Sequence, residues 1–146
     1  MDGVRFSTAE QAMMYKKALL FDDAEIADAI LTATDPGKQK PLGRQVRGFN
    51  EQVWCEHREG IVRSINYAKF AQNKGLRRKL FQTGDKALVE ASPLDVIWGI
   101  GLDKATAIET PSDLWPGKNL LGQIVTQVKE QLAQEFPDEV ASIAPV

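Results

Sequence analysis

The sequence has little of what holds metal and disulfide chemistry together: one cysteine, Cys55, and one histidine, His57. A lone cysteine makes no intrachain disulfide, and with a single histidine it is a poor start for a zinc site. No apolar run approaches the roughly 18 residues that suggest a membrane span. The start, MDGVRFSTAEQ, lacks the basic-then-apolar layout of a signal peptide. Neither charge dominates. The formal net charge is -2 with both signs interspersed, so there is no broad footprint for bulk nucleic acid or an anionic membrane. The basic run Arg77-Arg78-Lys79 is the one local patch, and it reads as a solvated helix face. A Gly-rich phosphate loop, an HExxH and a GxSxG are all absent. These absences point to a cytoplasmic protein with no membrane segment and no metal site. Its chemistry would rest on carboxylates, lysine and aromatic surfaces.

What is present suits one core. The chain has 146 residues, 43% hydrophobic and 26% charged, which is globular composition. Ser7-Thr8-Ala9-Glu10 has the Ser-x-x-Glu pattern of a capping box, and Ala12, Met13, Leu19 and Leu20 follow it, predicting a helix over 8–20. Asp22-Asp23 opens a second helix carrying Ile26, Ala27, Ile30 and Leu31, closed by Pro36-Gly37. Residues 38–43 read as a brief helix or turn, and Gly48-Phe49-Asn50 as a break. The strongest helix spans 50–72, with Val53, Trp54, Ile61, Ile65 and Ala68 on one face. A short basic helix follows over 76–81. Segments 87–91 and 96–100 are the strand candidates, 103–118 reads as a long loop, and 119–136 as the last helix, with a frayed tail from Pro137. The expected fold is mainly α (α-rich α+β), with one or two short β-hairpins.

Several residues have a chemical and a structural reading side by side. Glu10 and Lys17 lie seven apart, sharing a helix face, with Met13 and Met14 between them. That set suits acid–base work in a partly dry cleft, yet Glu10 also fits a capping box and Lys17 a solvent face. Trp54 and Arg58 form an i, i+4 pair able to sandwich a base and hold a phosphate, or the tryptophan is core. In Glu90-Ala-Ser-Pro-Leu-Asp-Val-Ile-Trp-Gly-Ile-Gly, Pro93 stiffens a turn and Asp95 stands at its exit. Trp98 offers a stacking platform, and Gly99 and Gly101 let backbone approach a ligand. The same string also reads as a turn before a buried strand.

Taken in order, these segments resemble the NADAR (YbiA-like) family. The matching motifs are Phe6-Ser-Thr-Ala-Glu-Gln-Ala-Met-Met with Lys17-Ala18, Phe21-Asp-Asp, Leu42-Gly-Arg-Gln-Val and Gly48-Phe-Asn with Trp54. They continue through Lys69-Phe70 with Gln72-Asn73, Thr83-Gly-Asp, the Glu90 to Leu102 string and Trp115-Pro-Gly-Lys-Asn-Leu-Leu-Gly122. The resemblance covers about residues 3–133. It implies a compact YbiA-like single domain over 1–146 and N-glycosidase activity without metal or organic cofactor.

The resemblance further implies a hydrolase that releases a free pyrimidine from a ribosylamino-pyrimidine phosphate of the riboflavin pathway. Its alternatives are an ADP-ribosyl-guanine hydrolase on modified nucleic acid, ranked lower for the slight net acidity, and a non-catalytic ADP-ribose-binding module. By resemblance Glu10 is the acid/base position and Asp95 matches a pocket position, a second catalytic candidate that would hold ribose hydroxyls or the attacking water. Lys17, Trp54 and Trp98 match other pocket positions, and Arg58, Gly99 and Asn119 complete the substrate-binding set. Family chains carry a further segment with a Ser-Asn-Phe-like motif before the point matching Phe6. Its absence implies a weakened pocket wall, or one completed by a partner or by self-association.

Overall fold

A helix starts most readily where a short polar side chain can take up one of the first N–H groups that no turn of helix satisfies. In the computed structural model, which describes residues 3–143, such starts recur along the chain. The helices are α1 (Ala9–Leu20), α2 (Ala24–Thr32), α3 (Pro36–Arg44), α4 (Glu51–Ala71), α5 (Lys74–Gln82), α6 (Lys104–Glu109), α7 (Leu120–Glu135) and α8 (Pro137–Ala141), with a 3₁₀ turn at Ser112–Leu114. Thr8, Asp23, Asp35, Asn73 and Asp103 accept N–H bonds at the starts of α1, α2, α3, α5 and α6. The fold divides into two units, Met1–Lys69 and Phe70–Val146.

In the first unit α1, α2 and α3 pack on one another. Met14, Ala18, Ala27, Ile30 and Val46 form the buried cluster, with Phe21 and Leu42 against it. Gly43 lets α3 approach α1 closely, because a Cβ there would overlap the Met14 side chain. The turn from α1 to α2 is tighter than the Asp22-Asp23 pattern suggests, since the two aspartates do different jobs. Asp22 takes a left-handed φ of 56°. Its N–H donates to the Leu19 carbonyl and that of Asp23 to Ala18, which closes α1 as a Schellman motif. Asp23 then caps α2. Pro36, expected to close α2, instead opens α3, where its missing N–H costs nothing.

Two buried glutamines tie this unit together. Gln11, 2% exposed, donates through Nε2 to the carbonyls of Ile30, Leu31 and Ala33, the unsatisfied end of α2. Its Oε1 accepts from the backbone N–H and the hydroxyl of Ser7. The fully buried Gln39 accepts from the Thr8 hydroxyl and donates to Ser7 Oγ and the Ala33 carbonyl. Thr8, Gln39, Ser7 and Gln11 thus close a ring of hydrogen bonds.

In the second unit α5, α7 and α8 pack together around Leu80, Phe81, Ile124, Val128 and Leu132. Arg78 and Lys79 are exposed, as the reading of their run as a solvated face expects, but Arg77 is buried, which corrects that reading at one position. Its guanidinium meets both Glu139 oxygens, at 2.6 and 2.8 Å, donates to the Phe70 and Ala71 carbonyls and lies 3.9 Å over the Phe136 ring. The supposed long loop over 103–118 contains α6 and the 3₁₀ turn, and the tail expected to fray contains α8.

The expected β-hairpins are not there: no strand occurs among the described residues. One backbone bond joins the two segments, from the Ile100 N–H to the Glu90 carbonyl, and the carbonyls of 97–99 are used elsewhere. Those of Ile97, Trp98 and Gly99 accept the N–H groups of Leu120, Leu121 and Asn119, so this segment caps the start of α7. Beyond that one bond, segment 87–91 pairs with a side chain. Asn119 Nδ2 donates to the Leu88 carbonyl and its Oδ1 accepts from the Glu90 N–H. A β-branched run specifies extended backbone but not its partner, and here the partner is a helix end.

Two predictions follow from the first unit. Gln11→Leu keeps the volume but strands the Leu31 carbonyl and the Ser7 N–H. It should cost about 2 kcal/mol in urea unfolding, and a change under about 0.5 kcal/mol would contradict the network. Asp23 lies far below the usual carboxylate range, chiefly because the Arg47 side chain and then its backbone N–H bond it. A depressed carboxyl stabilises the fold fully above its unfolded value of about 3.9 and loses that contribution as pH falls further through the folded value. The stability gap between wild type and Asp23→Asn should therefore be constant above about pH 5 and shrink on acidification below about pH 4. A gap that is unchanged down to the acid transition would show the pair is not coupled to folding.

Candidate active site

The cap of α1 decides what Glu10 is free to do. The N-cap is Thr8, not Ser7, and its Oγ1 accepts the Gln11 N–H at 2.9 Å. The third helical residue, which reaches back across the cap, is therefore Gln11. Glu10 stands at the second position with its side chain outside that ring, and it makes no side-chain hydrogen bond or ion pair among the described residues. The capping reading of Glu10 is thereby replaced. Its partly buried carboxylate sits in the first turn, where the helix dipole favours negative charge.

Lys17, two turns along α1, enters an aromatic corner. Its Nζ lies 4.7 Å from the Phe49 ring centre and 5.7 Å from that of Trp54. Burial lowers the ammonium below its ordinary value; Glu51 and Glu10 oppose this, and Arg44 adds to it. The Lys17 corner thus sets one ammonium from α1 against two rings, from the turn after α3 and the start of α4, with Glu51, Arg44 and Glu10 acting on it through their charges. Sequence reasoning reached Glu10, Lys17 and Trp54 but not Arg44, Phe49 or Glu51. The signal for Phe49 lay in the Gly48-Phe49-Asn50 break, since an aromatic between a glycine and a helix cap has no helix face to hide in. Trp54 is buried at 9% exposure, so its ring also serves the core. Arg58 stands one turn further along α4, half-buried.

The other candidates belong to the second unit and hold its loop. Asp95 Oδ1 accepts the N–H groups of Ile97 and Trp98 at 3.0 and 2.8 Å, an Asx turn that bends the chain after Pro93. Gly99 is buried with its missing Cβ facing the carbonyls of Glu90 and Asp95, 2.8 and 2.9 Å from where that atom would lie. Its smallness thus admits the loop's own backbone. Asn119 takes a left-handed φ of 53° and is committed to residues 88 and 90. Trp98 is half-buried.

Among the described residues no group of His, Cys, Asp and Glu is arranged to hold a metal ion. No helix among them is long and apolar enough to cross a membrane. An open groove of about 410 Å³ in the first unit, lined by Lys16, Glu56, His57, Gly60, Ile61 and Ser64, contains none of the candidate residues.

Comparison with known proteins gives this arrangement a context. The NADAR domain family model matches residues 1–133. N-glycosidase R617 of Acanthamoeba polyphaga mimivirus is 46% identical over 129 residues, covering 88% of this chain and 76% of that protein. Riboflavin biosynthesis protein VVA0006 of Vibrio vulnificus is 32% identical over 123 residues, covering 84% of this chain but only 30% of that longer protein. N-glycosidase YbiA of Escherichia coli is 30% identical over 134 residues, covering 92% of this chain and 75% of that protein. The NMR structure of E. coli YbiA superposes with a TM-score of 0.76 at 28% identity, covering 94% of this chain and 74% of that one. A match of this extent shows that the chain belongs to the NADAR domain family, a family with N-glycosidase activity.

Proposed function

We propose that the protein hydrolyses the N-glycosidic bond of a ribosylamino-pyrimidine phosphate, an intermediate of riboflavin synthesis, or of a closely related nucleotide-like substrate, with Glu10 as the acid/base. The observation that carries the reading is the release of Glu10 from capping, because Thr8 and Gln11 do that work between themselves. A carboxylate with no hydrogen-bond or ion-pair partner among the described residues, seven residues from a lysine seated on two rings, has the makings of a reactive corner. The relatives named N-glycosidase support the bond type, and the one named for riboflavin biosynthesis supports the substrate class.

The chemistry asks for few groups. Breaking a ribosyl C–N bond passes through an oxocarbenium-like state, in which the sugar ring gains positive charge while the leaving base gains electron density. A carboxylate beside the anomeric carbon stabilises that charge and either protonates the leaving group or takes a proton from the attacking water. The Lys17 ammonium neutralises the substrate phosphate, and the Trp54 ring offers flat apolar surface to a pyrimidine. Asp95, which holds the Asx turn of the second unit, is the other carboxylate that the family resemblance offers.

Glu10→Gln should lower kcat by about a hundredfold or more, read as release of free pyrimidine and ribose 5-phosphate, with an unchanged melting temperature. A folded Glu10→Gln protein that retains the wild-type rate would overturn the assignment. Asp95→Asn separates chemistry from turn-holding. Lost turnover at wild-type stability marks a catalytic carboxylate, whereas a lowered melting temperature at near-normal turnover marks the Asx turn alone.

A further inference from the structure

The corner beside Glu10 contains a residue whose placement the core does not explain. Phe49 is 42% exposed, although an aromatic ring normally gains by burial. Its position is nevertheless well determined. The buried Asp23 carboxylate accepts from the Arg47 backbone N–H at 2.9 Å and from its guanidinium at 2.8 and 3.2 Å, which anchors the chain just after α3. Gly48, at a φ of +73°, turns that chain in a conformation that L side chains rarely adopt. Asn50 next caps α4 by accepting the Val53 N–H. Phe49 is held between these two fixed points, tilted at 60° against Phe21 with ring centres 5.3 Å apart. Its ring carries the Lys17 ammonium, 4.7 Å from the centre.

We propose that Phe49 is a positioning residue for Lys17, its ring fixing where the ammonium meets the substrate. The purpose assigned to Lys17 rests on the N-glycosidase reading, but the positioning itself does not. A lysine side chain has four rotatable bonds and loses much freedom when it is ordered. A cation over a ring face recovers part of that cost while keeping the ammonium open to an anion on its other sides. Trp54 provides a second ring at 5.7 Å. The charged groups around Lys17 are Glu51 on α4, Arg44 on α3 and Glu10 on α1, mixed in sign, so charge alone does not select one position for it. The rings supply the direction.

The test uses the whole chain and two readouts. In wild type the Lys17 ε-methylene protons should resonate upfield, shielded by the ring current, and Phe49→Ala should return them toward the free-lysine position. Phe49→Tyr should preserve the shift and Phe49→Leu should not, although both keep apolar bulk. On the ribosylamino-pyrimidine phosphate substrate, Phe49→Ala should raise KM by about two- to fivefold with little change in kcat. In a Lys17→Ala background it should add nothing. A Lys17 resonance unmoved by Phe49→Ala would overturn the proposal. So would additive effects of the two substitutions, which would mean that the ring touches the substrate itself. If no N-glycoside is turned over, the resonance alone decides the positioning role while the functional reading fails on its own.

Discussion

The Gln11 amide is the constraint on which the first unit depends. A helix end leaves carbonyls without partners, and burying them unpaired costs far more than a typical hydrogen bond gains. Gln11 meets that need for α2 with one side chain while helping to cap its own helix. Since Gln39 completes the ring from α3, three helices share one set of polar contacts. A ring of this kind is directional, whereas the apolar contacts around Met14 and Ile30 would tolerate small rotations of α1. Rotation of α1 is what would spoil the proposed site, because Glu10 and Lys17 are both carried on it.

A similar logic runs through the Asp23 carboxylate. It caps α2, anchors the chain leaving α3 and so sets the ring on which Lys17 rests. Groups that close helices thus place the groups proposed to do chemistry. The second unit follows the same pattern with other residues. Asp95 bends its loop, Asn119 clamps residues 88–90, and the loop carbonyls finish the first turn of α7. Gly99 and Gly117 are required by close backbone approach and Gly101 by its left-handed φ of 76°, which explains their presence without a ligand. Gly122 belongs with them, since a Cβ there would overlap the Leu88 carbonyl oxygen.

Helices were legible where apolar spacing and a cap agreed, as in α1, α2 and α4. The caps themselves were less legible. Ser7 and Thr8 are both good N-cap residues, and only the backbone shows that Thr8 has the extended geometry and the Gln11 bond. That one-residue shift changed the meaning of Glu10. The strand expectation failed for a different reason. Val and Ile in 87–91 and 96–100 favour extended backbone, and the backbone there carries no helix. What local preference cannot supply is a partner, and the partners here are a side-chain amide and a helix start.

By itself the sequence determined the helical periodicity, the ordered motifs that identify the family and the candidacy of Glu10, Lys17 and Trp54. These depend on spacing along one chain, and spacing survives without coordinates. Tertiary structure decided the register of the α1 cap, the burial of Arg77 and Gln39, the structural engagement of Asp95, Gly99 and Asn119, and the seat of Lys17 on Phe49. Each of these joins residues distant in sequence or depends on one torsion. A polar side chain looks the same in a sequence whether it faces water, an orphan carbonyl or a ring.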